Sequence, residues 1–313
     1  MSDRRRYRLV ASDLANIEGR ALAWLAGEEW KLDAFRAFDR GDGPDLYRVA
    51  YARAYGIEAA DVTGDQRQIG KVMELALGYQ GGKHAFASMA TNYGISVVEF
   101  REEAPADAQF VLTFADADEI KNQWRAAHPA TVAFWYGLDR AAKSAVEEPG
   151  KITKCGPIAY RVMGDFLYCR LPSGRSTAYP YPSIIPPDAD DTPAETGADK
   201  PAFKRTWPQL GYWGVDSRPG KSKAWCQQRA YGGLLAENVT QAVARDVLML
   251  AFQRIENAGY RIVMHIHDEV VCEAARGHGS PEHLSALLTQ GETWTAGLPL
   301  ASKGWDGARY KKD

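Results

Sequence analysis

Residues 264–273 read Met-His-Ile-His-Asp-Glu-Val-Val-Cys-Glu, so two adjacent carboxylates, Asp268 and Glu269, stand where one apolar alternating run ends and another begins. That is the pattern of a β-hairpin with an acidic tip. Far upstream, Tyr7-Arg-Leu-Val-Ala-Ser-Asp13 reads as another short strand ending on a carboxylate. Magnesium prefers octahedral oxygen coordination and keeps several waters, so one or two carboxylates plus substrate phosphates are enough to hold it. Asp13 and Asp268 could bracket two such ions roughly 4 Å apart, an arrangement suited to nucleotidyl transfer. Each acid also has an ordinary reading, Asp13 as a turn residue or helix cap and Asp268-Glu269 as a solvated hairpin tip. His265 and His267 would share one strand face, yet no third His or Cys stands at ligand spacing, so a zinc site does not follow. His267 is expected to hydrogen-bond near the carboxylates, and His265 to be structural.

Between the two acidic runs lies Asp65-Gln-Arg67-Gln-Ile-Gly-Lys71-Val-Met-Glu-Leu75-Ala-Leu-Gly-Tyr79. A step of four advances a helix by about 40°, so Arg67, Lys71, Leu75 and Tyr79 form one slowly drifting stripe. The Arg67 fork suits a γ-phosphate, while Lys71 is a compact charge for the α-phosphate and the leaving pyrophosphate. Tyr79 would then lie under the incoming base or sugar. The same stripe on an ordinary amphipathic helix would face water. Gly70, Gly78 and Gly81-Gly82 point to a close approach by a neighbour.

These groups need a scaffold. At 313 residues and 45% apolar content the chain can bury a large core, and two lobes are plausible. Lys and Arg total 38 against 40 acids, a net charge of −2, so any polyanion must be held by local patches. The four cysteines are too far apart for a metal or redox pair and read as reduced, buried thiols. The start lacks the apolar stretch of a signal peptide, and no run of about eighteen apolar residues occurs, so a soluble, cytoplasmic protein without a membrane partner is expected.

Helical periodicity runs from 21 to 38, from 45 to 55, from Asp65 as N-cap to about 79, and through 83–92, 116–127 and 130–146. Around 160 the character changes to strands at 159–163, 166–171 and 176–181. Residues 186–204, rich in Pro and Asp, read as a surface excursion with no chemistry assigned. A long helix follows from about 235 to 257, with Val239, Val243, Val247 and Leu250 on its buried stripe and Gly259 past its end. After the acidic hairpin, Ser280-Pro281 starts a short helix with Leu284, Leu287 and Leu288 inward, and a polar tail ends the chain.

Taken together and in this order, the segments resemble the three polymerase motifs of family A DNA polymerases, the polymerase I class, and more closely its phage members. Ala11-Ser-Asp13-Leu-Ala-Asn-Ile-Glu18-Gly-Arg20 is similar to motif A, Arg67-xxx-Lys71-xxx-Leu75-xxx-Tyr79 to motif B, and His267-Asp268-Glu269 to motif C. Gln241 resembles the glutamine that meets the minor groove of the primer-template. The resemblance implies an α+β fold: an antiparallel-sheet palm at 1–20 and 159–313, with its motif C hairpin at 260–275, long packing helices, and a mostly helical fingers subdomain at 21–158. It implies that Asp13, Asp268 and the Leu14 carbonyl ligate two Mg²⁺ ions, with Mn²⁺ able to substitute, and that Glu269 sits beside the primer terminus.

In the same way Glu18 would be the steric gate that selects deoxynucleotides, Arg67 and Lys71 would bind the dNTP triphosphate, and Tyr79 would position Glu18. Asp13, Asp268, Glu269 and Lys71 form the expected catalytic set, and Gln241, His267 and Asn238 the expected DNA contacts. Leu75 stands where the family usually carries Phe or Tyr, and Glu237 where an Asn is common, with Asn238 adjacent. The segment between motif B and the long helix is expanded. Only twelve residues precede Asp13, where family members carry a thumb and usually an exonuclease, so thumb and exonuclease are expected to be absent and an upstream-encoded polypeptide supplying them is the expected partner. Template-directed DNA synthesis in phage or bacterial replication is the leading expectation. RNA synthesis on the same palm, and a subunit silent until its partner binds, are the alternatives.

Overall fold

In a computed structural model, residues 7–105, 108, 110–188, 206–216 and 223–311 are described. From 189 onward the expected surface excursion at 186–204 lies outside them. The chain opens with strand β1 (Tyr7–Leu14), whose Val10, Ala11 and Ser12 are fully buried. Helices α1 (Ile17–Ala26) and α2 (Glu29–Asp39) follow. They divide the single periodic run expected at 21–38, because Gly27 takes a left-handed conformation at φ 72° and closes α1. Asp45 caps α3 (Leu46–Tyr55) by accepting from the Tyr47 N–H. Thr63 caps α4 (Gly64–Leu77), in place of the expected Asp65, since Thr63 and Gln66 satisfy each other's backbone N–H in a capping box. Asp65 instead lies in the first turn, where a carboxylate complements the helix dipole.

Next come α5 (Lys83–Thr91), the parallel pair β2 (Ile95–Val98) and β3 (Phe110–Thr113), then α6 (Phe114–Ala127) and α7 (Pro129–Glu147). Two antiparallel sheets take the following strands, β4 (Thr153–Cys155), β5 (Ile158–Met163), β6 (Phe166–Arg170) and β7 (Ser176–Pro180) in one. The other holds β8 (Ser183–Ile185), β9 (Gln209–Val215) and β10 (Trp225–Ala230) in the order β10-β9-β8. The long helix α8 (Gly232–Asn257) leads to the hairpin β11 (Arg261–Ile266) and β12 (Glu269–Ala275). Helix α9 (Pro281–Thr289) follows, and then β13 (Ser302–Gly307), a strand where a polar tail was expected. Its residues include one large apolar side chain, Trp305, so no alternation announced it.

By compactness the chain forms two units, one of residues 1–131 and 239–313 and the other of residues 132–238. This division separates bodies rather than roles, and it groups helices α1 to α6 with the sheet ordered β11-β12-β1-β13. That sheet is antiparallel throughout and carries the core of its unit: Val10, Leu14, Val270, Cys272 and Ala274 from the strands meet Val247, Leu248, Ala251 and Ile255 of α8 and Leu284 and Leu288 of α9. Leu250, expected on the buried stripe of α8, is 42% exposed, because the four-residue step from Val247 continues to Ala251. Each fully buried aliphatic side chain is worth roughly 1.5–3 kcal/mol, against about 1 kcal/mol for a cap, so packing sets the rotation of α8. In the other unit, Trp135, Leu138, Tyr160, Leu167, Leu210 and Leu235 are fully buried. The four cysteines are free, but only Cys169 and Cys272 are buried, Cys155 and Cys226 being half-exposed.

Candidate active site

Strand β1 lies between β12 and β13, and its register sets the site. Asp13 is paired across β12 with Glu269 and across β13 with Lys303. Register partners share a sheet face, so a sheet built for stability alone would not set two carboxylates directly opposite each other. Beyond β1 the chain turns. The Leu14 N–H donates to the Asp268 carbonyl at 3.3 Å, and the Ala15 N–H to the Ala301 carbonyl at 2.8 Å. Asn16 takes a left-handed conformation, φ 49°, and opens α1, where Ile17 is buried and Glu18 left exposed. A Cβ on Gly19 would stand 2.5 Å from Asn16 Oδ1, so a larger residue there would displace the Asn16 side chain. The guanidinium of Arg20, buried at 2% exposure, braces this turn from beneath: Nε donates to the Ala15 carbonyl at 2.7 Å, and the fork donates to both Asp39 oxygens at 2.6 and 2.7 Å.

On the other side, the pair Ile266 and Glu269 closes a turn of His267 and Asp268. His267 is left-handed at φ 53°, the conformation that matches a two-residue turn to the strand twist. It therefore leaves the strand, and the face-sharing expected with His265 does not arise; His265 packs its ring against Phe252, centroids 5.8 Å apart. Asp13, His267, Asp268, Glu269, Lys303, Trp305 and Lys311 line a cavity of about 300 Å³. Within it both Glu269 oxygens are engaged, Oε1 by the Trp305 indole N–H at 3.0 Å and Oε2 by the Tyr310 hydroxyl at 2.8 Å. That hydrogen bond, with burial and the charges of Glu269 and Asp13, raises the Tyr310 phenol above its ordinary value.

Among the described residues no group of three or more His, Cys, Asp or Glu is disposed to cage a metal ion. With both Glu269 oxygens engaged by Trp305 and Tyr310, the acids that could hold a cation are Asp13 and Asp268, with the Leu14 main chain adjacent. Such an oxygen-only, incomplete set fits a hard cation that completes its shell with water and substrate phosphate.

A second cavity, of about 520 Å³, has Asn16, Glu18, Gln241, Arg245, His267 and Asp268 in its wall. Gln241 and Arg245 are exposed and one turn apart on α8. Just past the end of α4, the Tyr79 hydroxyl donates to Glu18 Oε2 at 3.3 Å, tying the helix to the turn after β1. The remaining expected residues line neither cavity. Arg67 Nε donates to Asp45 at 2.9 Å with its guanidinium 5.4 Å from the Tyr47 ring, Lys71 lies 4.6 Å from the Tyr93 ring, and Leu75 is 42% exposed. Asn238, in the other unit, donates to the Tyr179 hydroxyl at 3.0 Å. The close approach foreseen at Gly70 is made by backbone: a Cβ there would stand 2.2 Å from the Tyr47 carbonyl of α3. Sequence reasoning missed Arg20, Arg245, Lys303, Trp305 and Tyr310. A Trp inside a polar segment, and an Arg one turn beyond Gln241, were the available signals.

No protein-family model matches the chain. It is 34% identical over 305 residues to a DNA polymerase of Bacillus phage SP02, an alignment covering 96% of this chain and 41% of that protein. It is 37% identical over 100 residues to the DNA polymerase I of Pseudomonas aeruginosa, 32% of this chain and 10% of that one. The chain thus spans about two-fifths of the length of the phage relative. Among solved structures, the polymerase domain of Pol1 from M. smegmatis, in complex with DNA primer-template and dNTP, shares the fold at a TM-score of 0.51 and 18% identity, covering 96% of this chain and 39% of that one. Along nearly its whole length the chain is thus similar to the phage DNA polymerase, and it shares the α+β fold of the Pol1 polymerase domain.

Proposed function

We propose that this chain carries the nucleotidyl-transfer site of a template-directed DNA polymerase, in which a primer 3′-oxygen attacks the α-phosphorus of a dNTP and pyrophosphate leaves. The observation that carries this reading is the meeting of Asp13 and Asp268, 255 positions apart in the chain, through the Leu14 N–H to Asp268 carbonyl bond. Asp13, Asp268 and the Leu14 carbonyl would hold Mg²⁺, two ions in this reading, which when bound stabilise the charge developing on the phosphate oxygens. Glu269 offers a fixed negative charge beside the primer terminus. Glu18, held by Tyr79, blocks a ribose 2′-hydroxyl.

Arg67 and Lys71 are the triphosphate ligands in this reading, and each has a competitor to leave: Asp45 for Arg67 and the Tyr93 ring for Lys71. Gln241, Arg245 and His267, beside Glu18 and Asp268, face the primer-template duplex. The sheet β11-β12-β1-β13 serves as palm and the helices of 21–158 as fingers. Replication of phage or bacterial DNA in the cytoplasm is the setting this reading implies. Its test is Asp268→Ala: primer extension falls to background while the circular dichroism spectrum and melting temperature stay those of the parent, and retained synthesis removes the proposal. Extension by the 313-residue chain with and without the polypeptide encoded upstream separates solitary activity from dependence on a thumb and exonuclease partner.

A further inference from the structure

We infer that Trp305 and Tyr310 are positioning residues that clamp Glu269 and so divide the labour among the three acids of the site. A carboxylate that accepts one hydrogen bond on each oxygen loses its freedom to rotate about its terminal torsion. Glu269 meets this condition: the indole N–H holds Oε1 at 3.0 Å and the phenol holds Oε2 at 2.8 Å. Both donors are neutral, so they orient the carboxylate without cancelling its charge. A lysine in either place would cancel it.

The clamp is built into the sheet. Trp305 lies across from Ala11, a fully buried small residue on β1, two positions on from the Lys303 that pairs with Asp13. Its ring meets Tyr310 at a centroid distance of 5.8 Å and a tilt of 60°, so each aromatic supports the other. With both oxygens committed, Glu269 stands opposite Asp13 with its rotation toward a cation restrained. In the polymerase reading Asp13 and Asp268 then serve as the cation pair and Glu269 as the fixed charge. The inference deepens the polymerase reading, on which its kinetic part rests.

The experiment uses the full chain and the variants Trp305→Phe, Tyr310→Phe and Glu269→Gln, singly and in pairs. Each aromatic variant keeps its ring and loses its donor. Either one lowers kcat for primer extension about tenfold, the loss of one hydrogen bond to a charged group, while the KM for dNTP stays unchanged. On the Glu269→Gln background the aromatic substitutions add nothing further, because residues acting through one another are not additive. Full additivity, or unchanged kcat in both aromatic variants, overturns the proposal.

A readout independent of activity accompanies these rates. The Trp305 indole N–H, assigned by its disappearance in Trp305→Phe, exchanges slowly with solvent in the parent and about tenfold faster in Glu269→Ala, whose side chain accepts no bond. Unchanged exchange sinks the clamp even where extension is normal. Accelerated exchange in a chain that extends no primer, either alone or with the upstream-encoded polypeptide, upholds the clamp and removes the polymerase reading instead.

Discussion

Glu18 and Tyr79 meet through one hydrogen bond of 3.3 Å, and everything expected of the pair depends on it. An exposed glutamate on the first turn of a helix has several rotamers, and a gate must hold one. Tyr79→Phe removes the phenol and keeps the ring, so the preference for dNTPs over NTPs, read as a ratio of kcat/KM values, falls by about tenfold, equivalent to roughly 1.4 kcal/mol. Glu18→Ala removes the bulk itself and lowers the ratio further. A marked preference for NTPs in the parent chain overturns the gate assignment and favours RNA synthesis. Arg67 poses a comparable question, since Asp45 holds its Nε. Asp45→Asn weakens that hold, so the KM for dNTP changes while the KM for primer-template does not, as measured by steady-state extension.

At the scale of elements, α4 is fixed from behind by a buried polar knot. Glu74 accepts from Lys31 and from the Trp124 indole at 2.9 Å, and His128 Nε2 lies 3.1 Å away. Lys31 and Glu74 are 4% and 6% exposed. Burial pushes the Glu74 carboxyl up, but the charges and hydrogen bonds of Lys31 and His128 outweigh it and hold the group below its ordinary value. Glu74→Ala leaves Lys31 buried without its partner and costs about 3–5 kcal/mol, seen as a lowered urea midpoint. The sign of the pH effect follows from a depressed carboxylate. Its stabilisation is present above the unfolded value of 4.5 and is lost as pH falls below it, so the parent's melting temperature drops there more steeply than that of Glu74→Gln. Gly70 performs the matching task on the α3 side. Gly70→Ala drives a methyl into the Tyr47 carbonyl and costs roughly 1–3 kcal/mol through forced displacement of α4, also read in urea. The periodicity of α4 was legible, but its capping by Thr63 and its anchoring by Lys31 were not, since Lys31 stands 43 positions away.

Across the molecule, a net charge of −2 provides no general attraction to DNA, so affinity must come from a few placed cations. Arg245 stands beside the proposed primer-template surface, in the wall shared with Gln241 and His267. Arg245→Ala weakens primer-template binding by a similar factor for all sequences and lowers the slope of log affinity against log salt by about 1, measured by anisotropy over a salt series. No described helix is long and apolar enough to cross a membrane. Sequence alone determined the hairpin at 261–275, the strand ending near Asp13, most helices and the order of the three motifs, because each is a local pattern of period 2 or 3.6 or a short run of residue types. Only the tertiary structure decided that Asp13 pairs with Glu269, that Lys303 and Trp305 come from a strand on the far side of β1, and that Arg67 and Lys71 rest against Asp45 and Tyr93. Sheet register joins residues hundreds of positions apart and these side-chain partnerships join residues 22 apart, separations longer than the windows in which local patterns are read.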